Sequence, residues 1–354
     1  MLTTCALDAL SWRDELVPGT EELAGVTVRR FASAAGRAAD FHPYSGLLLQ
    51  HPEQATPEQA ERWVDKQGPC CPELLEAVAG SDADLVAFYP YLYYPTVRGL
   101  PLVADRAVLH PAAHDEPAFR LGAFIPVFER ARALVFHTDS ERRLVTSRFR
   151  VAQARQLVLG AGVVGQTGDR QAARVCTGLG DRPYLVCLGR VEAAKGTSLL
   201  AGAFAAYKER RPGPLALVLA GSIVDPPPAH PDVIVTGPVD EAAKWGLLRD
   251  AVALVSPSPL ESFSLSVVEG WAAGLPVVVN GACEPTREHC ERSGGGLWFT
   301  DYGQFEALLD RLVGSVGLRE ELAGRGGRYV ARHFGWPTVV DRYRSFLEQV
   351  ARHR

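Results

Sequence analysis

Two cations stand in one short segment that follows an apolar run. Arg190 comes directly after the run Tyr184–Gly189, and four residues separate it from Lys195, just before a helical stretch that begins near Thr197. A guanidinium offers a fork of donors, an ammonium adds a point charge, and a helix N-terminus adds free N–H groups and a positive dipole end. This combination suits a diphosphate. The alternative is a pair of solvated cations.

Two carboxylates occur further along the chain, with seven residues between them. Glu269 is predicted to lie inside a helix whose first turn runs from Ser264 to Ser266, and Glu261 in the loop before it. Both carboxylates can then reach one cleft, while the N–H groups near Leu265 and Ser266 face a phosphate. The alternative is a surface Glu261 and a Glu269 engaged in a helix salt bridge.

Apolar strands that alternate with helices must position these residues. Such a pattern predicts a parallel sheet that is covered on both faces and binds ligands at the carboxyl ends of its strands. The strands predicted in the second half are Tyr184–Gly189, Leu215–Gly221, Val233–Gly237, Ala253–Ser256 and Pro276–Asn280. Gly189 and Gly237 therefore stand where ligand-binding loops begin.

The first half is predicted to form a second α/β domain. Its strands are Asp84–Tyr89, Ala107–His110 and Ala133–His137, and its helices are Pro72–Ala79, Phe119–Arg132 and Ser140–Arg148. Between the halves, Gly160–Gly180 has the composition of a linker. We therefore predict domains at 1–163 and 164–336, followed by a last helix over 337–354 whose apolar positions must pack on something.

Composition narrows the class of protein. The chain has 354 residues and a formal charge of −4, which is too balanced for binding nucleic acid through global charge. No run approaches the roughly 18 apolar residues of a bilayer span, and the N-terminus does not resemble a signal peptide. The seven cysteines are scattered without a CxxC pair. We expect a cytoplasmic protein with no membrane span.

Three further patterns are weaker candidates. Cys283, His289 and Cys290 could ligate a metal, but no second cluster completes a tetrahedral site. Asp82-Ala83-Asp84 has a metal-binding spacing but precedes a strand, whereas a metal-binding pair should follow one. Residues 160–165 match GxGxxG, yet Gln166–Gly180 is predicted to lack an amphipathic helix, so the context of a nicotinamide site fails.

The order of the two main segments, in successive βα units, is more specific than either alone. Through LGRVEAAKG, VLAGS, VIVTGPV and VSPSPLESFSLSVVEGWAAGLPVVV, the chain resembles the retaining glycosyltransferases of family 4, also called group 1. The resemblance implies the GT-B fold, in which two Rossmann-like domains with parallel sheets face each other across a cleft. It implies a nucleoside diphosphate sugar as donor and no metal or other cofactor. The implied acceptor is a hydroxyl on a sugar, a lipid-linked glycan or a small molecule.

The resemblance also implies residue roles. Arg190 and Lys195 neutralise the diphosphate leaving group, Glu261 contacts the sugar, and Glu269 holds ribose hydroxyls. The donor-binding positions are Gly189, Arg190, Lys195, Gly237, Ser264, Leu265, Ser266 and Glu269. Ser264 departs from the glycine usual in the family and is expected to narrow the phosphate pocket.

The first half carries the resemblance through AHDEPAF and ALVFHTDSERR. His114 is implied as the histidine that faces the donor sugar, and His110 is the second choice for this role. The last helix looks like the family's C-terminal helix, which crosses back to the first domain.

The family begins with a strand, a glycine-rich loop and a helix, whereas Met1 here leads straight into what looks like the second strand. We therefore expect one βα unit to be missing. Either the start is truncated, or the chain is a minimal form whose open sheet edge is filled by a partner or by a second copy of the chain. Residues 120–155 hold eight arginines and three carboxylates. They form either a solvated face or a surface for anionic lipid, at the inner face of the membrane, or for a phosphorylated acceptor.

Two other functions stay open. A nucleotide-sugar-binding subunit without catalysis agrees with a shortened N-terminal domain. An NAD-dependent oxidoreductase would require the GxGxxG segment to bind a dinucleotide, and a comparison of NADH with nucleoside diphosphates distinguishes the two classes.

Overall fold

The computed structural model describes residues 1–352, and the chain divides into two compact units. The first unit contains Met1–Leu159 and the chain from Tyr343 onward, and the second contains Gly160–Arg342. The predicted boundary at residue 163 lies just after this division. None of the helices within residues 1–352 combines the length and the apolar character that crossing a lipid bilayer requires.

The first unit holds two sheets. The strands are β1 (Leu2–Thr4), β2 (Gly19–Leu23), β3 (Val26–Phe31), β4 (Val86–Phe88), β5 (Ala107–Leu109), β6 (Ala133–Phe136) and β7 (Arg155–Val158). Strands β1 and β3 are parallel, and β2 pairs antiparallel with β3. The β2–β3 hairpin turns on Ala24 and Gly25, both at positive φ, a turn whose twist matches that of the strands. The second sheet is parallel, in the order β4-β5-β6-β7.

Helices cover these sheets. They are α1 (Phe41–Leu48), α2 (Pro57–Gln67), α3 (Pro72–Ala79), α4 (Tyr94–Gly99), α5 (Ile125–Glu129) and α6 (Asp139–Arg148). Of these, α3 and α6 lie where the sequence predicts them, whereas α1, α2 and α4 were not predicted. The single helix predicted over Phe119–Arg132 is wrong. Two 3-10 turns, Pro117–Arg120 and Gly122–Phe124, precede α5, because Pro126 has no N–H to donate and its ring would clash with the carbonyl of Gly122 in a continuous helix.

The second unit contains one parallel sheet of six strands. They are β8 (Tyr184–Leu188), β9 (Ala216–Ala220), β10 (Val233–Gly237), β11 (Ala253–Ser256), β12 (Val277–Asn280) and β13 (Gly296–Phe299). Their order is β10-β9-β8-β11-β12-β13, the doubly wound order of a Rossmann fold. The α/β class and the five strands predicted in this half are confirmed.

The helices of the second unit lie on both faces of its sheet. They are α7 (Arg170–Thr177), α8 (Thr197–Arg210), α9 (Glu241–Asp250), α10 (Leu265–Ala272), α11 (Glu284–Ser293), α12 (Tyr302–Gly314) and α13 (Val316–His333). In β9, Val218 packs into the core on one face, while Leu217 and Leu219 pack into the core on the other. Burial on both faces explains the continuous apolar runs of the sequence.

Helix α7 contradicts the prediction that residues 166–180 lack an amphipathic helix. The Asp169 side chain caps α7 by accepting from the N–H groups of Gln171 (2.8 Å) and Ala172 (3.1 Å), and Gly178 ends it at a φ of 65°. Gly246 of α9 lets α7 approach closely, since a Cβ there would lie 2.2 Å from the Asp169 carbonyl oxygen. The helix is short, and its buried residues Ala173 and Thr177 lie on one face, so the sequence marks it both by an amphipathic pattern and by its two capping residues.

The GxGxxG segment has a packing role of its own. A Cβ on Gly160 would lie 2.4 Å from the Phe334 ring, and one on Gly162 would lie 2.4 Å from the Trp336 ring. These glycines therefore make room for aromatic rings. In a dinucleotide fingerprint the glycines open the helix, whereas these glycines precede α7 by several residues.

The last helix, α14 (Trp336–Arg352), begins in the second unit, and its residues from Tyr343 on belong to the first. Arg132 donates from Nη2 to the carbonyl of Val350 at 3.0 Å, and Val350 is fully buried. The final two residues of the predicted helix, 353 and 354, lie outside the described part of the chain.

Candidate functional site

The second unit contains a cavity of about 390 Å³ at the carboxyl ends of its strands. Strands β8 and β11 are neighbours in the sheet, but the chain leaves β8 toward β9 on one side and β11 toward β12 on the other. This reversal opens a crevice between the loops, the usual ligand site of a doubly wound sheet. The predicted site residues that line it are Gly189, Arg190, Lys195, Glu261, Ser264, Leu265, Ser266 and Glu269.

Lys195 and Glu261 meet across this cavity. The Nζ atom of Lys195 lies 2.8 Å from Oε1 of Glu261, and both side chains keep some solvent exposure, 32% and 19%. Gly196, at a φ of 74°, allows the contact, because a Cβ there would lie 2.7 Å from the carbonyl oxygen of Pro257. The loop after β8 can therefore approach the loop after β11 only with glycine at this position.

Arg190 lies at the rim of the cavity. Its side chain is 52% exposed, and Nη2 lies 3.0 Å from Oε1 of Glu192. Gly189 before it has a φ of 124°, and Gly221 leaves room for the Gly189 carbonyl, which would lie 2.0 Å from a Cβ on Gly221. The guanidinium can turn inward toward an anion if it exchanges Glu192 for the new partner.

The N-terminus of α10 supplies backbone donors to the same cavity. Leu265 and Ser266 form its first turn, and within residues 1–352 no side chain caps the helix. Ser264, directly before it, is buried and has a φ of 69°, the left-handed conformation that glycine adopts without strain. Its Oγ lies 3.2 Å from Oγ of Ser266, so the hydroxyl adds bulk and polarity beside the free N–H groups.

Lys244 of α9 is a lining residue that the sequence predictions missed. Its Nζ lies 2.8 Å from Oε1 of Glu269 and 2.8 Å from Oε1 of Glu241. Burial alone would lower the pKa of Lys244, but the two carboxylates outweigh burial, and the pKa is raised. The sequence did offer one signal for Lys244. The chain has lysine only at 66, 195, 208 and 244, so each lysine is a candidate for a specific role.

The floor of the cavity includes Cys187, on β8. Burial, assisted by the negative charge of Glu261, raises the pKa of this thiol to about 12. The thiol is therefore protonated at neutral pH and does not act as a thiolate nucleophile. Gly237 ends β10 at a φ of 72° and does not itself line the cavity, whereas its neighbours Pro238 and Val239 do.

His114 belongs to the first unit, in the loop after β5. Its Nδ1 atom lies 3.5 Å from Oε1 of Glu116. The buried carboxylate of Glu141 holds this loop, because it accepts hydrogen bonds from the N–H groups of Ala113 (2.7 Å) and His137 (2.6 Å). Burial raises the pKa of Glu141 to about 8, although these N–H groups oppose the shift. We therefore assign Glu141 a structural role, which is to hold the loop that carries His114.

His110, the second choice, is occupied by a contact with the last helix. Its Nε2 lies 2.7 Å from the hydroxyl of Tyr343. Burial, together with the neighbouring His137, lowers the pKa of His110 to about 4. His110 is therefore a neutral residue that joins β5 to α14.

The weaker metal candidates are dispersed. Asp82 and Asp84 are exposed before β4, and Nδ1 of buried His289 lies 3.0 Å from the hydroxyl of Tyr329. Within residues 1–352, no three His, Cys, Asp or Glu side chains are placed to hold a metal ion. Independence of metal stays a prediction.

Arginines of segment 120–155 have partners within the first unit. Arg120 pairs with Asp115, Arg142 pairs with Asp139 at 2.7 Å, and Arg148 donates to the carbonyl of Phe119 at 3.2 Å. These contacts favour the interpretation of a solvated, internally paired face. Binding to anionic lipid stays a prediction.

The chain is similar to known glycosyl transferases. Residues 182–315 match the family model of the group 1 glycosyl transferases. A D-inositol 3-phosphate glycosyltransferase of Actinosynnema mirum is 30% identical over 252 residues, which cover 64% of this chain and 59% of that protein. A protein of the same name from Nocardioides sp. is 26% identical, over 92% of this chain and 82% of its own. The chain thus spans less than two thirds of the length of the Actinosynnema mirum protein.

Solved structures agree with the fold over nearly the whole chain. Sucrose-phosphate synthase from Thermosynechococcus elongatus superposes with a TM-score of 0.71 at 17% identity, covering 97% of this chain and 88% of that one. The trehalose-6-phosphate synthase OtsA superposes with a TM-score of 0.69 at 14% identity, covering 94% and 88%. The predicted GT-B fold is confirmed.

Proposed function

We propose that this chain is a retaining glycosyltransferase that moves a sugar from a nucleoside diphosphate donor to a hydroxyl acceptor. The observation that carries the proposal is the cavity at the β8/β11 switch point, where two lysine–glutamate pairs and the free N–H groups of α10 converge. The match of residues 182–315 to the group 1 glycosyl transferases supports the same activity.

The cavity offers matched groups for each part of such a donor. Arg190, Lys195 and the N-terminus of α10 supply positive charge and N–H donors for the diphosphate. Glu269 accepts hydrogen bonds from ribose hydroxyls, and Lys244 fixes its carboxylate. Glu261 contacts the sugar once the diphosphate draws Lys195 away from it.

In the proposed reaction, the bond from the anomeric carbon to the diphosphate oxygen breaks, and a bond to the acceptor oxygen forms on the same face. The departing phosphate takes the acceptor's hydroxyl proton. Negative charge grows on the diphosphate as its bond breaks, so fixed cations beside it stabilise the transition state more than the ground state. The cations and the helix dipole supply the charge that a divalent metal would otherwise provide.

His114 is assigned to the donor sugar by resemblance alone, and the acceptor is assigned to the first unit on the same basis. The name shared by the curated relatives specifies an inositol 3-phosphate acceptor. For this chain we propose the broader class, a hydroxyl on a small polar molecule.

The test has two steps. A thermal-shift panel of UDP-, GDP-, ADP- and TDP-sugars identifies the donor, and an acceptor screen with that donor follows. Proton NMR of the product should show the anomeric configuration of the donor. A folded protein that neither binds nor turns over any of these donors would refute the proposal, and an inverted product would refute retention.

A further inference from the structure

The first unit contains a second cavity, of about 520 Å³, that the proposed donor chemistry does not use. Strands β1 and β3 are parallel, so their carboxyl ends lie at one edge of the sheet. The loops that follow them, at residues 10–14 and 33–39, line this cavity together with His42. We call it the loop pocket.

The loop pocket is built by specific contacts. Oδ1 of Asp8 accepts hydrogen bonds from the N–H groups of Leu10 (2.7 Å) and Ser11 (2.8 Å) and so closes the first loop. The N–H of Arg37 donates to the Ser11 carbonyl at 3.0 Å. A Cβ on Gly36 would lie 2.7 Å from the same carbonyl oxygen, so glycine is required for this approach. The two loops are therefore held together before any ligand binds.

One residue of the pocket is held in a strained conformation. Trp12 has a φ of 54°, although a bulky side chain disfavours the left-handed region. Its ring packs edge-on against Tyr93, with the centroids 4.8 Å apart. Strain of this kind persists where the surrounding structure requires one side-chain direction, and it concentrates at ligand sites.

Three hydrogen-bonding atoms of the pocket's residues are buried without a partner anywhere in residues 1–352. They are Nε1 of Trp12, Oγ of Ser33 and Nε of Arg37. Buried polar atoms are nearly always hydrogen-bonded in folded proteins, so three such atoms around one cavity need a common explanation. A ligand rich in acceptor oxygens provides one.

The charge of the pocket indicates the same ligand. Across the described residues, no carboxylate lies within ion-pair distance of the guanidinium of Arg37 or Arg13, whereas Arg98 in the same unit pairs with Glu61 and Asp65. Arg37 is partly buried and stacks over the Phe41 ring at 4.8 Å. An unpaired guanidinium that has lost part of its hydration is unfavourable unless an anion joins it.

One carboxylate, that of Asp14, also lines the pocket. Its Oδ2 accepts from the N–H of Ser33 at 2.8 Å, so this oxygen is engaged in holding the second loop. Arg13 and Arg37 also line the pocket, and the carboxylate of Asp8, outside the lining, attracts both guanidinium groups from beyond ion-pair distance. A phosphate bound in the pocket would give these guanidinium groups a direct anionic partner.

We propose that the loop pocket binds the phosphate group of a small phosphorylated molecule, with the guanidinium groups of Arg37 and Arg13 as its main contacts. The indole N–H of Trp12 and the hydroxyl of Ser33 complete the set of donors after a small adjustment of the loops. A phosphate is favoured over a carboxylate because it presents acceptor oxygens in several directions, as these donors require. The site itself is inferred independently of the proposed function. Only the statement that the acceptor carries this phosphate rests on that function.

Isothermal titration with inorganic phosphate tests the site directly. Wild-type protein should bind phosphate at two places, the diphosphate region near Lys195 and the loop pocket. Arg37→Gln should weaken phosphate binding at the loop pocket about tenfold or more. The binding of nucleoside diphosphate near Lys195 should be unchanged. Lys195→Ala should have the opposite pattern. Exposed Arg62, on α2 of the same unit, provides the control Arg62→Gln, which should leave both sites intact.

Two milder variants guard against misfolding. Arg37→Lys keeps the charge and should retain part of the affinity, and Trp12→Phe removes one donor while keeping the ring. Unchanged phosphate binding in folded Arg37→Gln and Trp12→Phe would overturn the loop pocket, even if donor binding proved normal. Failure of every nucleoside diphosphate to bind, with Arg37-dependent phosphate binding intact, would instead refute the proposed function alone.

The source of the phosphate is separated by the acceptor screen. If the acceptor carries it, phosphorylated polyols should act as acceptors better than their unphosphorylated forms, and Arg37→Gln should raise their KM with little change in kcat. If a free anion occupies the pocket, inorganic phosphate should change donor hydrolysis in wild type but not in Arg37→Gln. Either result supports the site. Absence of both effects in a protein that does transfer sugar would overturn the use of this pocket by acceptor or anion.

Discussion

The ammonium group of Lys195 lies 2.8 Å from the carboxylate of Glu261, across a cavity built from the loops after β8 and β11. In the proposed reaction these two groups part, the first toward the diphosphate and the second toward the sugar. The pair therefore fixes the positions of both side chains before the donor binds.

Removal of the Lys195 ammonium should slow sugar transfer. Lys195→Ala removes a fixed cation from the leaving group, and kcat/KM should fall roughly tenfold or more, because charge develops there in the transition state. Steady-state kinetics with the best donor measures this effect. The control is Lys66→Ala, which removes a lysine of the first unit that pairs with Asp40. It should keep the wild-type rate. A folded Lys195→Ala enzyme of normal rate would reject the assigned role.

Lys244 should act through Glu269. Lys244→Gln releases the Glu269 carboxylate, so we expect the KM for the donor to rise about three- to tenfold while kcat changes less, since ribose binding precedes the chemical step. Lys244→Arg should recover most of the affinity. Glu241→Gln is the matched control, because it removes only the exposed partner of Lys244. An equal effect of Glu241→Gln would show that Lys244 merely stabilises its helix.

Gly196 should be intolerant of a side chain. Gly196→Ala places a Cβ 2.7 Å from the Pro257 carbonyl oxygen at a φ of 74°. The free energy of unfolding should fall by about 1–2 kcal/mol or more, and donor binding should weaken with it. Gly202→Ala on α8 is the control, because its Cβ meets no atom within 4 Å. It should be neutral or stabilising by about 0.5–1 kcal/mol in denaturant unfolding. Equal stability of the two variants would contradict the close approach of the loops.

Ser264 should be more strained than glycine. Its φ of 69° is left-handed, so Ser264→Gly should raise the free energy of unfolding by about 1 kcal/mol. Donor affinity should stay the same or rise, because the variant enlarges the phosphate pocket. Chemical denaturation and titration with the donor measure the two effects. A loss of donor affinity would show that the Ser264 hydroxyl binds the phosphate instead.

Buried His110 should make folding sensitive to acid. Its pKa is lowered from 6.5 to about 4, so between these values the unfolded chain binds more protons than the folded protein. The free energy of unfolding should therefore fall as pH drops from about 6.5 to 4. His110→Gln should reduce this slope, and His51→Gln, at an exposed position, should not. Identical slopes for the two variants would contradict the buried, neutral state of His110.

The sequence predicted well wherever burial and periodicity act together. The five predicted strands of the second unit and the helical stretch that begins near Thr197 are confirmed, because each follows from a local pattern. It also marked eight of the lining residues. The prediction failed at α5, where Pro126 breaks a helical pattern, and at α7, whose eight residues form a short amphipathic helix inside a segment of linker-like composition.

Other features depend on contacts between distant segments, which a single sequence does not reveal. Lys244 reaches Glu269 from a different βα unit, and His110 meets Tyr343 only because α14 joins the first unit. The loop pocket arises in the same way, from two loops that a glycine at 36 allows to touch.

The most direct test of the central claim is calorimetric titration of the wild-type protein and Lys195→Ala with UDP, GDP, ADP, TDP and NADH. At least one nucleoside diphosphate should bind wild type with one-to-one stoichiometry, and Lys195→Ala should bind it roughly tenfold or more weakly. Tighter binding of NADH, or nucleotide binding that is indifferent to Lys195 in a folded variant, would contradict the assignment of this cavity to a sugar donor.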